Sequence, residues 1–380
     1  MLVIGNFPWV TSATQGSIGG TNLPEKSNFQ KFKGLDAVTG KANFDISESM
    51  LLEVFRWLDG RNADLAMLVK TAVARKVLAY AERNGIAVRE ARLIKIDAMA
   101  DFGAAVDACL LVMRFSADRA QENHDYWVFD GFDDHRGHRV GHRFGVTIGD
   151  IGAFESSQLL YGKSPQKWRS GVKHDASSVM EFTRVKDGYQ NGSGEIVDLE
   201  PTYLYPLMKG SDIGNPKKEW REKFILVPQK FVGEPTEPIR TQAPKTWEYL
   251  ERHAAALDAR GSAIYKNNPR FSIFGIGEYA FRPWRVAICG LYKSLHFRLI
   301  GPKEGSPVMF DDTVYFISFD TQDEATSVLD RLQCPQSTSF LSSLIFWDEK
   351  RPIKTSILNT LDWRLLDKGE PIQLRLPFPA

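Results

Sequence analysis

Asn6-Phe7-Pro8-Trp9 follows directly on the apolar run Met1-Leu2-Val3-Ile4-Gly5. A buried strand ending in this corner presents one carboxamide and one large flat ring. Pro8 fixes its own φ and biases Phe7 towards extended conformations, so the corner is stiff. These groups suit the exocyclic amine of an extruded nucleobase. Such an amine is a poor nucleophile, because its lone pair is delocalised into the ring. Attack on a methyl sulfonium needs acceptors on both of its hydrogens. An Asn side-chain oxygen and a neighbouring backbone carbonyl supply fixed dipoles aimed at the positive charge that develops. Trp9 would stack on the base and offset part of the unstacking cost. The same tetrapeptide also suits a plain strand-to-loop turn with Phe7 and Trp9 in a core.

Other groupings also place chemistry-bearing residues together. Residues 266–303 hold seven Lys or Arg (Lys266, Arg270, Arg282, Arg285, Lys293, Arg298, Lys303) against one acid, Glu278. Cations of this kind neutralise phosphates, and Arg also reads guanine edges, so Arg270, Arg282, Arg285 and Lys293 are candidates for DNA contact. The interleaved aromatics, Phe271 to Phe297, are better explained by strands whose alternate residues face a core. Lys167-Trp168-Arg169-Ser170-Gly171-Val172-Lys173-His174-Asp175 is either a polar hook, contacting phosphate or base through Lys167, Arg169 and Lys173, or an exposed loop with one buried Trp. His135, His138 and His142 alternate with Arg136, Arg139 and Arg143 beside Asp133 and Asp134. The arginines would repel a cation, so the expectation is a flexible loop facing nucleic acid and no metal. Gly34…Gly40-Lys41 is not a phosphate loop: five residues separate the glycines, and Ala42 stands where a Ser or Thr must hold magnesium.

The elements that must position these groups read as two parts. Over residues 1–118 the pattern is α/β: a strand at 2–4, a helix through 49–58 capped by Asp45 or Ser47, a strand at 63–69, a helix at 72–83 closed by Asn84-Gly85, and strands at 92–96 and 108–115. The polar, Gly-rich residues 11–43 are too long for an ordinary connection and are expected to be functional or mobile. Over residues 119–380 short aromatic runs alternate with Gly, Pro and Asn, with helical patches at 245–259, 324–332 and 337–343. This reads as an α+β domain, in two lobes if the Pro-bearing residues 233–244 are a linker. A net charge of +1 over 380 residues announces no global polyanion field. Cys109, Cys289 and Cys334, widely spaced, fit a reduced, cytoplasmic protein, and no apolar stretch suits a membrane span.

Asn6-Phe7-Pro8-Trp9 resembles the Asn-Pro-Pro-aromatic signature of DNA amino-methyltransferases, with Phe7 in place of the first proline. Residues 34–47 (Gly-Leu-Asp-Ala-Val-Thr-Gly-Lys-Ala-Asn-Phe-Asp-Ile-Ser) look like the segment that follows that signature in adenine-specific methylases of restriction–modification systems. Asp97-Ala98-Met99-Ala100-Asp101-Phe102 is similar to a segment carrying a second base-contacting aromatic. Residues 167–175, 268–277 and 342–348 resemble parts of the target-recognition region. The resemblance implies that Asn6 and the Phe7 carbonyl accept from the amine, while Trp9 and Phe102 hold an adenine. It also implies S-adenosylmethionine as methyl donor and double-stranded DNA as substrate. The family's Gly-rich cofactor turn and ribose-binding acid have no counterpart. The expectation is therefore a partial Rossmann-like methyltransferase sheet, the C-terminal half of a catalytic domain, followed by an α+β target-recognition domain. Such a chain would be inactive alone, needing a second polypeptide or missing N-terminal segment to complete the cofactor site. A non-catalytic DNA-binding or specificity subunit, and a carbohydrate- or protein-binding module, are the other readings the sequence leaves open.

Overall fold

A computed structural model describes residues 1–9, 45–218 and 220–367. The Gly34…Gly40-Lys41 pattern and most of the stretch 34–47 lie outside the described residues. The chain folds as two compact units, Met1–Ser156 and Ser157–Ala380.

Unit 1 begins with strand β1 (Leu2–Asn6). Helix α1 (Ile46–Leu58) starts where Asp45 accepts from the Ser47 amide, and it buries Leu51, Leu52, Phe55 and Leu58 along one face. Strand β2 (Ala63–Lys70) buries every second residue: Ala63, Leu65, Met67 and Val69. Helix α2 (Thr71–Arg83) follows without a loop and buries Val73, Ala74, Val77, Leu78 and Ala81. Its end is released by Gly85, whose φ of +59° suits glycine. Strand β3 (Val88–Ile96), the short helix α3 (Ala98–Phe102) and strand β4 (Ala108–Phe115) follow. Phe55 of α1 meets Phe115 of β4 edge-on, with centroids 5.5 Å apart. Three more strands, β5 (Tyr126–Phe129), β6 (His138–Arg143) and β7 (Val146–Ile148), extend the same sheet past residue 118.

The seven strands lie in the order β1-β2-β4-β3-β5-β6-β7. β1 runs parallel to β2, and β3 to β5, while the other pairs are antiparallel. Residues 138–143 are thus a paired strand and not the flexible loop that their Gly, Arg and His content suggests. Among the described residues β1 pairs only with β2. Its alternate residues Leu2 and Ile4 are 62% and 71% exposed.

Unit 2 holds two sheets. The six-stranded one comprises β9 (Glu181–Val185), β10 (Gly188–Asn191), β11 (Ile196–Val197), β12 (Leu204–Met208), β13 (Lys223–Leu226) and β16 (Met309–Phe310). The four-stranded one comprises β8 (Arg169–Ser170), β14 (Trp284–Cys289), β15 (Arg298–Ile300) and β17 (Val314–Phe319). Phe182, Phe224 and Ile225 pack with Tyr249 and Leu250 of the helix Pro244–Arg252 and with Phe271 and Ile273. The segment 233–244, read as a linker, carries the helix Ile239–Gln242 and buries Thr236, Ile239 and Ala243 within this unit.

Candidate functional site

Strand register gathers the candidate groups of unit 1. Asn6 pairs with Leu68 in the parallel β1–β2 ladder, so both strands finish at the same end of the sheet. Lys70 and Ile96 both pair with Ala108, which brings the β3–β4 connection, with α3 and Phe102, to that end as well. In parallel sheets this carboxyl end is where ligands sit. Asn6 and Pro8 are exposed there, whereas Phe7 and Trp9 are half-buried. Phe102 is 59% exposed, with Met99 of the same helix at 56%, so its ring is not a core ring. Helix α3 is held by Asp97, whose carboxylate accepts from the Ala100 amide at 3.0 Å, and by Gly103 at φ +64°.

Two further residues bind the corner. The Lys70 ammonium, at the last position of β2, donates to the Trp9 carbonyl at 3.2 Å and to Asp45 Oδ2 at 2.6 Å. The other carboxylate oxygen of Asp45 accepts from Ser47 N at 3.1 Å and Ser47 Oγ at 2.6 Å. Lys70 carries no sequence signal beyond its place at a strand-to-helix junction without a loop. Asp45 is legible only as a helix cap.

The turn after β5 also lies at this end, because Ile94 pairs with Phe129. Its Asp134 accepts from the amides of Asp130, Arg136 and Gly137, which hold the carboxyl down at about 2. Of the three histidines, His138 is on β6, where burial lowers its pKa. His142 places Nδ1 2.5 Å from Glu82 Oε2 and Nε2 2.7 Å from Thr147 Oγ1. Among the described residues no group of three His, Cys, Asp or Glu side chains is placed to hold a metal ion.

No protein-family model matches the chain. Over 369 residues it is 51% identical to the type II methyltransferase M.NspV of Nostoc sp. (strain ATCC 29411 / PCC 7524), covering 97% of this chain and 76% of that protein. The chain belongs to the type II methyltransferases of restriction–modification systems. Its fold is similar to that of the type IIL restriction-modification enzyme MmeI, solved in complex with DNA, at a TM-score of 0.51 and 12% identity. The likeness covers 94% of this chain and 46% of that one, so the methyltransferase spans less than half the length of this structural neighbour.

In unit 2 of the methyltransferase, the hook at 167–175 and the stretch 268–277 are brought together. Lys173 and Phe274 exchange two backbone hydrogen bonds of 2.8 Å. The approach leaves no room for a side chain at Gly275, whose Cβ would lie 2.3 Å from the Gly171 carbonyl oxygen; Gly171 is in turn packed on the 310–311 backbone, where a Cβ would lie 2.1 Å from the Asp311 carbonyl oxygen. Buried Arg260, absent from the sequence candidates, ties both stretches by donating to the carbonyls of His174 (3.2 Å) and Ser272 (2.8 Å). Trp168 is the buried Trp of the hook and packs on Phe297 at 5.8 Å.

The candidate cations divide by environment. Lys167 and Lys293 are exposed. Arg169, half-buried, lies 4.7 Å over the Tyr279 ring. Lys173 is 3.5 Å from Asp175. Arg282 is exposed and 3.6 Å from Asp320. Arg270 is exposed but already engaged by Asp258 at 2.7 Å and Glu251 at 3.2 Å. Arg285 is different in kind: it is 0% exposed, and its guanidinium donates to the carbonyls of Ala280 and Pro283. A guanidinium with no exposed surface works inside the protein and does not reach a phosphate.

Proposed function

We propose that this methyltransferase acts on the exocyclic amine of an adenine extruded from double-stranded DNA, and that the corner Asn6-Phe7-Pro8-Trp9 binds that amine. The observation that carries the reading is the gathering of an exposed Asn6, a tethered Trp9 and an exposed Phe102 at the carboxyl end of one sheet. Asn6 Oδ1 and the Phe7 carbonyl accept one N–H each, which concentrates electron density on the nitrogen and stabilises its developing positive charge. Trp9 and Phe102 stack on the base, each contributing about 1–3 kcal/mol by analogy with base–aromatic stacking elsewhere.

S-adenosylmethionine supplies the methyl group in this class. Among the described residues β1 pairs only with β2, at the edge of the sheet. The exposed edge fits a partial Rossmann-like sheet completed by a second polypeptide or a further segment that pairs with β1 and covers Leu2 and Ile4. An open apolar edge is otherwise an aggregation template. Unit 2 serves as the target-recognition domain, with Lys167 and Lys293 on phosphates and Arg169, Lys173 and Arg282 as further DNA contacts.

The test is the identity of the product. DNA from cells expressing the complete enzyme is digested to nucleosides and resolved by mass and retention. N6-methyladenine is expected; N4- or 5-methylcytosine as the sole new product overturns the adenine assignment.

A further inference from the structure

Lys70 occupies an unusual place. It is the last residue of β2 and the next residue opens α2, so its backbone is fixed on both sides. Since Asn6 pairs with Leu68, Lys70 lies two residues beyond the β1 ladder, beside the corner. Its ammonium bridges the Trp9 carbonyl and Asp45, whose side chain is only 7% exposed. Asp45 is itself pinned by the first turn of α1. The Trp9 indole N–H is buried without a hydrogen-bond partner among the described residues.

We propose that Lys70 and Asp45 are positioning residues that set the base-holding corner against α1 through the Trp9 carbonyl. The proposal rests on the corner being the amine-binding site. Each partner has a distinct task. Lys70 takes up the Trp9 carbonyl and so fixes the chain three residues after Asn6. Asp45 neutralises the ammonium, because an uncompensated cation here would oppose the positive charge that the attacking amine acquires. Together they order the corner without adding net charge to it.

Methyl transfer by the complete enzyme to unmethylated genomic DNA, followed with tritiated S-adenosylmethionine, tests this alongside 19F NMR of the full chain labelled with 5-fluorotryptophan. The Trp9 resonance is assigned by Trp9→Phe. Lys70→Met should lower kcat by as much as about 100-fold, the scale of a small misplacement, with KM for DNA little changed. The Trp9 resonance should shift and broaden, and Lys70→Arg should restore both signals. The double variant Lys70→Met/Asp45→Asn keeps a good helix cap and leaves no buried unpaired charge, so it folds even if Lys70→Met does not. It should show the same Trp9 change. An unaltered Trp9 resonance in either folded variant overturns the proposal. If Asn6→Ala retains activity, the amine-binding reading fails instead, while the Trp9 resonance still decides whether Lys70 holds the corner.

Discussion

In the proposed site Asn6 and Phe7 offer the amine two oxygens of different origin, one on a side chain and one on the backbone. Substitutions at the two positions should therefore separate. Phe7→Ala keeps the carbonyl and loses only half-buried apolar surface, so methyl transfer should persist at a reduced rate when initial rates are compared. Phe102→Ala should weaken binding of the extruded base by about 1–3 kcal/mol, and Phe102→Trp should retain it, read from KM and kcat on the same DNA. The contiguous tetrapeptide marks Asn6, Phe7 and Trp9 as candidates in the sequence, and the six-residue segment 97–102 marks Phe102. Lys70 was not legible, because its tie to Trp9 spans 61 residues and leaves no local pattern. Arg285 misled for a related reason. A cation between aromatics suggests a solvent-facing alternation, but β14 is buried on both faces from Arg285 to Cys289.

At the scale of elements, the β1 edge and the ends of β9 and β12 carry separate expectations. Ile4 is 71% exposed, so Ile4→Glu should change the thermal stability of the chain by no more than about 0.5 kcal/mol. The same change should impair methyl transfer if a strand docks there, because it buries a charge against the new partner. Equal loss of stability and activity would count against a docking edge. Glu181, opening β9, meets Lys209 at 2.8 Å and His174 at 3.4 Å. Burial alone would raise its carboxyl, but hydrogen bonds from His174 and Lys209 and the Lys209 charge outweigh it, leaving the group at about 2 against an ordinary 4.5. A carboxyl depressed on folding stabilises the native state above its unfolded value, and that contribution is lost as pH falls from about 4.5 towards 2. Glu181→Gln should flatten this acid limb of stability, measured as urea midpoints against pH. Periodicity made β2, α2 and β4 readable within one residue and α1 within three. It failed at α3, only five residues long, and at the start of β3, where charged residues and a bulge between Val88 and Glu90 break the alternation. It failed again at β6, whose Gly and Arg content hides a strand paired on both sides.

For the whole molecule, a net charge of +1 leaves DNA affinity to local cations, so affinity should fall steeply with salt. Lys167→Glu and Lys293→Glu should each weaken binding across sequences and lower the salt slope by about 1, whereas Arg285→Lys should act on stability alone. Composition marked a change of character after residue 118, yet the sheet of unit 1 runs on through β7 and the compact units divide at Ser156–Ser157. Short strands rich in His, Arg and Gly resemble the irregular runs that follow them, which is why the division was invisible. Among the described residues no helix is long and apolar enough to cross a membrane. In the proposed site Asn6 is the central acceptor for the reacting amine. Its most direct test is the initial rate of tritiated methyl incorporation into unmethylated DNA by the complete enzyme, wild type against Asn6→Ala. Removing one preorganised acceptor predicts a loss of roughly 100- to 1,000-fold with KM for DNA nearly unchanged. A wild-type rate in folded Asn6→Ala would contradict it.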